Sequence, residues 1–375
     1  MANILYISHS GSLIGGGESQ LYHLVRNLDA SRYRPIVVCP DDGVFVEKLR
    51  SEEIPTYVLS LPAWRKVRTI PFRRSAVKRL IRLVESNDIR IIHTSDLWMN
   101  YYVWKVSQRT GVRTVSHVRN LLDAKRAHKY LFNKIDRIIS ISNQLKQPLV
   151  QAGIPIEKIH TIYNGVDLSE FTLDIPKVNV LRRDFEPLSD LLVGIVGRIE
   201  PFKGQSEFLQ ASVEVLKVRQ DVTFFLIGAS HAELGQGAYL EEIQHFIHEH
   251  DIAQYIVFTG FRTDMPEVMA SLDILVSASA GTVMIEAMAA GIPVVATNIA
   301  SASEVIADGV TGILVPHSDI HAMAEAILRL LDDPNMRRQM GQAGRKRAEE
   351  QFSQARNVQL TQAVYDNLLH RNQVF

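Results

Sequence analysis

The chain has 375 residues, 46% of them hydrophobic, which is enough to bury one or two sizeable cores; a prior of roughly 150 residues per domain favours two. Its 41 basic and 41 acidic residues balance, which argues against a nucleic-acid binder, a class expected to be basic overall or to carry a basic face interleaved with aromatic residues. Cys39 is the only cysteine, so an intrachain disulfide is excluded and a reducing compartment is expected.

The balance hides an asymmetry. Up to Val180 there are 26 basic and 16 acidic residues, against 15 and 25 after it. The N-terminal apolar run Ile4 to Ile7 is too short for a signal-peptide core, and no stretch reaches the roughly 18 apolar residues of a membrane span. The expected setting is therefore cytoplasmic, soluble or peripheral on the inner face of a membrane.

In chain order, Ile4 to Ile7 reads as a buried strand, Ser8 to Gly17 as a Gly/Ser loop and Glu18 to Leu28 as a helix with apolar positions at Leu21, Leu24, Val25 and Leu28. Strand-like runs recur at 35–39, 56–59, 89–93, 114–117, 137–141 and 159–163, with helical segments between most of them. After an aperiodic stretch at 174–190 that reads as a linker, a second series follows at 191–196, 223–227, 256–259, 274–277 and 294–297. Alternation of this kind predicts α/β architecture with two doubly wound, Rossmann-like domains facing a cleft. The domains are expected at 1–173 and 191–350, followed by an amphipathic C-terminal helix in 351–375.

Several stretches could carry chemistry. Gly11 and Gly15-Gly16-Gly17 lie between a strand and a helix, where backbone N–H groups can approach a diphosphate; a flexible turn is the plain alternative, since the spacing is not G-x-G-x-x-G. Arg65, Lys66, Arg68, Arg73, Arg74, Lys78, Arg79 and Arg82 form a run without an acid, interleaved with Trp64, Val67, Ile70 and Phe72. Such a run suits an anionic lipid surface or an anionic acceptor, or is simply a solvated helix face.

His117, in Ser116-His117-Val118-Arg119-Asn120, falls at a strand end, and its residue type alone favours a satisfied structural histidine. Arg198 and Lys203, on the turn after the first strand of the second domain, can converge on a pyrophosphate and stabilise the charge that grows as it leaves. Glu286 sits near the start of a helix that follows a strand end, placed to accept from ribose hydroxyls or to complement the helix dipole. His245, His248 and His250 read as the wet face of an amphipathic helix, and neither H-E-x-x-H nor D-x-D occurs, so no catalytic metal is expected.

The segments 285–295, Ile-Glu-Ala-Met-Ala-Ala-Gly-Ile-Pro-Val-Val, and 308–315, Asp-Gly-Val-Thr-Gly-Ile-Leu-Val, together with Val196-Gly197-Arg198 to Lys203-Gly204, resemble the signature of family-4 retaining glycosyltransferases. The resemblance covers most of the chain and implies the two-domain GT-B fold. It also implies a nucleoside-diphosphate sugar as donor substrate, no further cofactor, and a glycan, lipid-linked or small hydroxyl acceptor. By resemblance Gly16 and Gly17 would meet the phosphates, His117 the donor sugar, Arg198 and Lys203 the diphosphate, Gly281 and Thr282 the nucleotide sugar, and Glu286 the ribose. Asn164, in Tyr163-Asn164-Gly165-Val166-Asp167, would be a hinge or cleft residue, and the C-terminal helix would cross back onto the first domain. The family's usual E-x7-E pair is incomplete: counting back from Glu286 lands on Ala278, and the loop before Gly281 is shorter than usual by about four residues. Ala300-Ser301 also stand where the family commonly has two glycines. Two other readings stay open on the sequence: a nucleotide-sugar epimerase of the same fold, and a catalytically impaired binding or partner protein.

Overall fold

The computed structural model describes residues 1–12, 15–171, 179–230, 237–279, 281–299 and 301–370. The chain divides into two compact units, one made of Met1–Gly165 with Gln354–Phe375, the other of Val166–Ser353.

The first unit is built on seven parallel strands: β1 (Ala2–Ile7), β2 (Tyr33–Cys39), β3 (Thr56–Val58), β4 (Ile89–Thr94), β5 (Arg113–Val118), β6 (Arg137–Ser140) and β7 (Ile159–Thr161). Their order is β3-β2-β1-β4-β5-β6-β7, every pair parallel. Strand β1 is apolar almost throughout because both faces of the sheet are covered. Leu5 and Ile7 join one buried cluster, with Leu80 and Val84 of the helix Ile70–Ser86 and Val103 and Val106 of Asn100–Thr110. Ile4 and Tyr6, on the opposite face by the two-residue alternation of a strand, join another cluster with Leu21, Leu24 and Val25 of the helix Gly16–Arg26. That second cluster also contains Val358, Val364, Tyr365 and Leu368 of the helix Gln354–His370. The C-terminal helix is thus part of the first unit's core; residues 371–375, expected to belong to the same segment, lie outside the described residues.

The second unit holds six parallel strands: β8 (Leu191–Val196), β9 (Val222–Ile227), β10 (Ile256–Gly260), β11 (Ile274–Ser277), β12 (Val294–Thr297) and β13 (Gly312–Val315). They lie in the order β10-β9-β8-β11-β12-β13. Val193 and Ile195 pack with Phe208, Leu209, Ile327 and Leu330 of the covering helices.

Every strand expected from the sequence is present, and β13 is an addition: it is only four residues long and follows directly on a turn at 308–311. Within the stretch read as a linker, 174–178 lie outside the described residues. Val180–Phe185 form a short helix tied to the second unit, where Asn179 Nδ2 donates to the Ser271 carbonyl at 3.0 Å and the Val180 N–H to Ser271 Oγ at 3.0 Å. The helix Gly237–Glu249 buries Tyr239, Ile243 and Ile247 and carries His245 and His248 among its charged residues. No cluster of three or more metal-ligating side chains occurs among the described residues.

Candidate functional site

In a doubly wound sheet, ligands bind beyond the carboxyl ends of the strands where the strand order reverses. In the second unit that point lies between β8 and β11. The loop after β8 carries Gly197, Arg198 and Glu200, then a 3-10 turn Pro201–Lys203 closed by Lys203 N–H donating to the Glu200 carbonyl at 2.9 Å. Arg198 is exposed, with Nη1 3.1 Å from Glu200 Oε1, while its carbonyl accepts from Gln205 Nε2 at 2.9 Å. Lys203 is half-buried, and that burial, with the Arg198 guanidinium beside it, lowers its pKa. A lysine held this way gains charge stabilisation from any anion that enters.

The loop after β11 lies against this turn. Gly204, at φ +81°, is packed on Ala278, and Gly228, at φ +140°, on the Gly197 carbonyl, so neither position has room for a side chain. Ala278, where the resemblance would have a glutamate, therefore faces the start of the helix Gln205–Leu216. Ala280, in the shortened loop, and Ala300 lie outside the described residues. Gly281 is exposed; Thr282 precedes the helix Val283–Ala289, and its Oγ1 donates to Glu286 Oε1 at 2.8 Å. Burial pushes the Glu286 carboxyl up, the Thr282 hydrogen bond opposes this, and Glu170 adds to the rise. Glu286 Oε2 makes no hydrogen bond among the described residues, which suits it to accept from a hydroxyl. Arg198, Lys203, Gly281 and Thr282 thus belong to the two connections that flank one switch point, with Glu286 in the first turn of the helix after the second of them.

The first unit reverses between β1 and β4. Gly16 opens the helix Gly16–Arg26 with open space where a β-carbon would stand, and Gly17 lies near Arg119; residues 13 and 14 of the same loop are outside the described residues. His117, on β5, is 4% exposed, and its Nδ1 lies 2.8 Å from Nε2 of His93 on β4. The two rings stack at 4.7 Å between centroids. Asn164 accepts through Oδ1 from Arg119 Nη1 at 2.9 Å, and Arg119 Nε donates to the Ser95 carbonyl at 3.3 Å.

Arg119 is the residue that sequence reasoning missed. Burial pulls its pKa down to about 10, opposed by the carboxylates of Asp96 and Glu18, whose own pKa values burial raises. A buried guanidinium under the influence of two partly buried carboxylates at a strand-end crevice marks a candidate place for a polar ligand. The signal available was its place two residues beyond His117, on the same side of an extended chain.

The comparisons with known proteins bear on this geometry. A family model described as "Glycosyl transferases group 1" matches residues 181–347, and one described as "Glycosyltransferase Family 4" matches 14–170. The chain is 28% identical over 262 residues to the capsular polysaccharide biosynthesis glycosyltransferase CapM of Staphylococcus aureus, over 65% of this chain and 66% of that one. It is 27% identical to a GDP-mannose-dependent alpha-(1-6)-phosphatidylinositol monomannoside mannosyltransferase of Mycolicibacterium smegmatis, over 72% of this chain and 75% of the relative. The crystal structure of Anabaena Alr3699/HepE in complex with UDP and glucose superposes with a TM-score of 0.85 at 22% identity, over 98% of this chain and 100% of that one. Sucrose-phosphate synthase from Thermosynechococcus elongatus gives 0.77 at 21%, over 99% and 100%. The fold is that of the GT-B glycosyltransferases, and the chain belongs to glycosyltransferase family 4: it is an enzyme of the glycosyltransferase class.

Proposed function

We propose that the protein transfers a sugar from a nucleoside-diphosphate sugar to an acceptor hydroxyl, with retention of configuration and without a metal ion. The observation that carries the reading is the pairing of Arg198 and half-buried Lys203 on the loop after β8 with Glu286 behind the loop after β11. A relative named for GDP-mannose dependence and a structural neighbour holding UDP and glucose support a nucleotide-sugar donor.

In this reading Glu286 accepts from the ribose hydroxyls, and Arg198 and Lys203 bind the two phosphates. The bond between the anomeric carbon and the diphosphate oxygen breaks, and the two cations stabilise the charge left on the diphosphate. The acceptor oxygen bonds to the anomeric carbon from the same face, and its proton passes to a phosphate oxygen of the leaving group. Gly16 and Gly17 leave the backbone open to the phosphates, and His117 meets the donor sugar.

The acceptor is a glycan, a lipid-linked glycan or a small hydroxyl compound. A lipid-linked acceptor is favoured by the helix Ile70–Ser86, which buries Ala76, Leu80 and Val84 and turns Arg74, Lys78, Arg79 and Arg82 outward. Next to these cations Val67, Ile70 and Phe72 are exposed, a combination suited to the surface of an anionic membrane. No helix among the described residues is long and apolar enough to cross a membrane.

The test is a titration of the full chain with UDP, GDP and their sugar conjugates, followed by measurement of nucleoside diphosphate released with and without candidate acceptors. Binding of a conjugate with acceptor-dependent release supports transfer. Epimerisation of the sugar without an acceptor, or binding without release, would replace it.

A further inference from the structure

Behind His117 runs a line of buried polar groups that the proposed reaction does not use. His117 Nδ1 lies 2.8 Å from His93 Nε2, His93 Nδ1 lies 2.5 Å from the Tyr365 hydroxyl, and the Tyr365 and Tyr6 hydroxyls are 3.0 Å apart. Tyr6 and Tyr365 are fully buried and His93 is 1% exposed. Burial takes the pKa of His93 down to about 3 and that of His117 well below its usual value, with the Arg119 cation contributing to both, so each ring is neutral and carries one proton.

Four neutral groups joined in a line by three hydrogen bonds can arrange their protons in only three ways, and in one of them Tyr365 accepts from both Tyr6 and His93 Nδ1–H, which leaves its own buried O–H without a partner. If every donor points towards Tyr6, the Tyr6 O–H is left over, in the core, with no acceptor among the described residues. A buried donor without a partner costs about 1 to 3 kcal/mol. If every donor points towards His117, Tyr6 donates to Tyr365, Tyr365 to His93 Nδ1, and His93 Nε2–H to His117 Nδ1. No donor is then orphaned inside, and the proton of His117 must sit on Nε2.

We propose that Tyr6, Tyr365 and His93 form a one-way hydrogen-bond chain that holds His117 as its Nε2–H tautomer, so that this ring offers a ligand a hydrogen-bond donor and does not serve as a base. The ligand it fits is an oxygen with a free lone pair. That this oxygen belongs to a donor sugar rests on the proposed function; the tautomer does not. His93 and Tyr365 are positioning residues here, acting through His117.

The experiment uses the full chain carrying 15N-labelled histidine, without substrate, with the His117 resonances identified by their loss in His117→Gln. The expected spectrum has a protonated Nε2 and an unprotonated, hydrogen-bonded Nδ1 at His117. A proton on His117 Nδ1 overturns the proposal. Tyr365→Phe removes the donor to His93, and the His93 Nδ1 resonance should then move to that of an unbonded acceptor; no movement overturns the direction of the chain. His93→Phe should shift His117 Nδ1 in the same sense, and an unchanged resonance there likewise rejects the role of His93. Because these readouts need no turnover, a failure of sugar transfer leaves them interpretable.

Discussion

Gly204 and Ala278 touch so closely that a β-carbon on the glycine would stand 2.2 Å from the alanine methyl. Through this contact the turn carrying Lys203 is held against the loop after β11. Gly204→Ala should therefore be doubly costly, since φ is +81° there and an L side chain in that region costs about 1 to 2 kcal/mol before any clash. Adding Ala278→Gly should relieve the clash but not the backbone strain, so the double variant recovers part of the stability lost. Denaturation midpoints of the four proteins check this, and strict additivity would show that the two residues do not interact.

Lys203→Ala should weaken nucleoside-diphosphate binding by about 1.5 to 3 kcal/mol, the range for a hydrogen bond to a charged group. Calorimetric titration with UDP and GDP is the measurement. Unchanged affinity in a folded variant removes Lys203 from the diphosphate site.

The shortened loop separates two functions. In the proposed reading Glu286 holds the nucleotide, while Ala278 stands where the resemblance has the other glutamate, and a lost polar partner to a sugar hydroxyl costs about 1 to 3 kcal/mol in binding and more in rate if the contact tightens in the transition state. The chain as it stands should bind nucleoside diphosphate normally and transfer sugar slowly. Restoring about four residues with a Glu and a Phe before Gly281 should raise kcat more than it changes diphosphate affinity. Fast transfer by the unaltered chain would assign the sugar contact to another group.

The basic face of Ile70–Ser86, with Val67, Ile70 and Phe72 beside it, should carry the protein onto anionic vesicles and not onto neutral ones. Added salt should release it as the Debye length shortens from about 10 Å at 0.1 M to about 3 Å at 1 M. Equal sedimentation with both lipids would leave a solvated helix face.

The burial of neutral His93 and His117 should lower stability as pH drops from 8 to 5. His93 and His117 stay neutral when folded but take up protons near pH 6.5 when unfolded, so the unfolded state binds more protons throughout that range. Their contribution is complete above the unfolded value and is lost as pH falls towards the folded one; at pH 5 His93 alone costs about 2 kcal/mol, and His117 acts in the same direction. The carboxyls of Glu18, Asp96, Asp273 and Glu286, raised by burial, act with the opposite sign. The decisive comparison is therefore with His117→Gln, whose denaturation midpoints should vary less between the two pH values than those of the wild type. Equal slopes would contradict the burial of a neutral ring at this position.

The fold was largely legible because parallel strands covered on both faces leave continuous apolar runs, as at Ile4 to Ile7 and Phe224 to Ile227, between punctuated loops. Strand β13 escaped because Gly312 to Val315 is short and follows its turn directly. Arg198, Lys203 and Glu286 could be singled out because each follows a strand end in the sequence. Arg119 with Glu18 and Asp96 could not, since only the strand order β1-β4-β5 brings their loops together. The link between His93 and Tyr365 joins residues 272 positions apart, a separation at which local periodicity carries no information.

The return of Gln354–His370 to the first unit has a consequence for the order in which the protein can be made. The second unit is one uninterrupted segment, Val166–Ser353, and can close its core as soon as that segment has left the ribosome. The first unit, although it is synthesised earlier, must wait through all of the second before Tyr365 arrives to meet the hydroxyl of Tyr6 and the ring of His93. Until then one face of its sheet lacks Val358, Val364 and Leu368 and remains open to water or to a chaperone. The half of the molecule that begins first is completed second, and a chain released early would expose the part of this apolar cluster that the helix Gln354–His370 covers in the finished one.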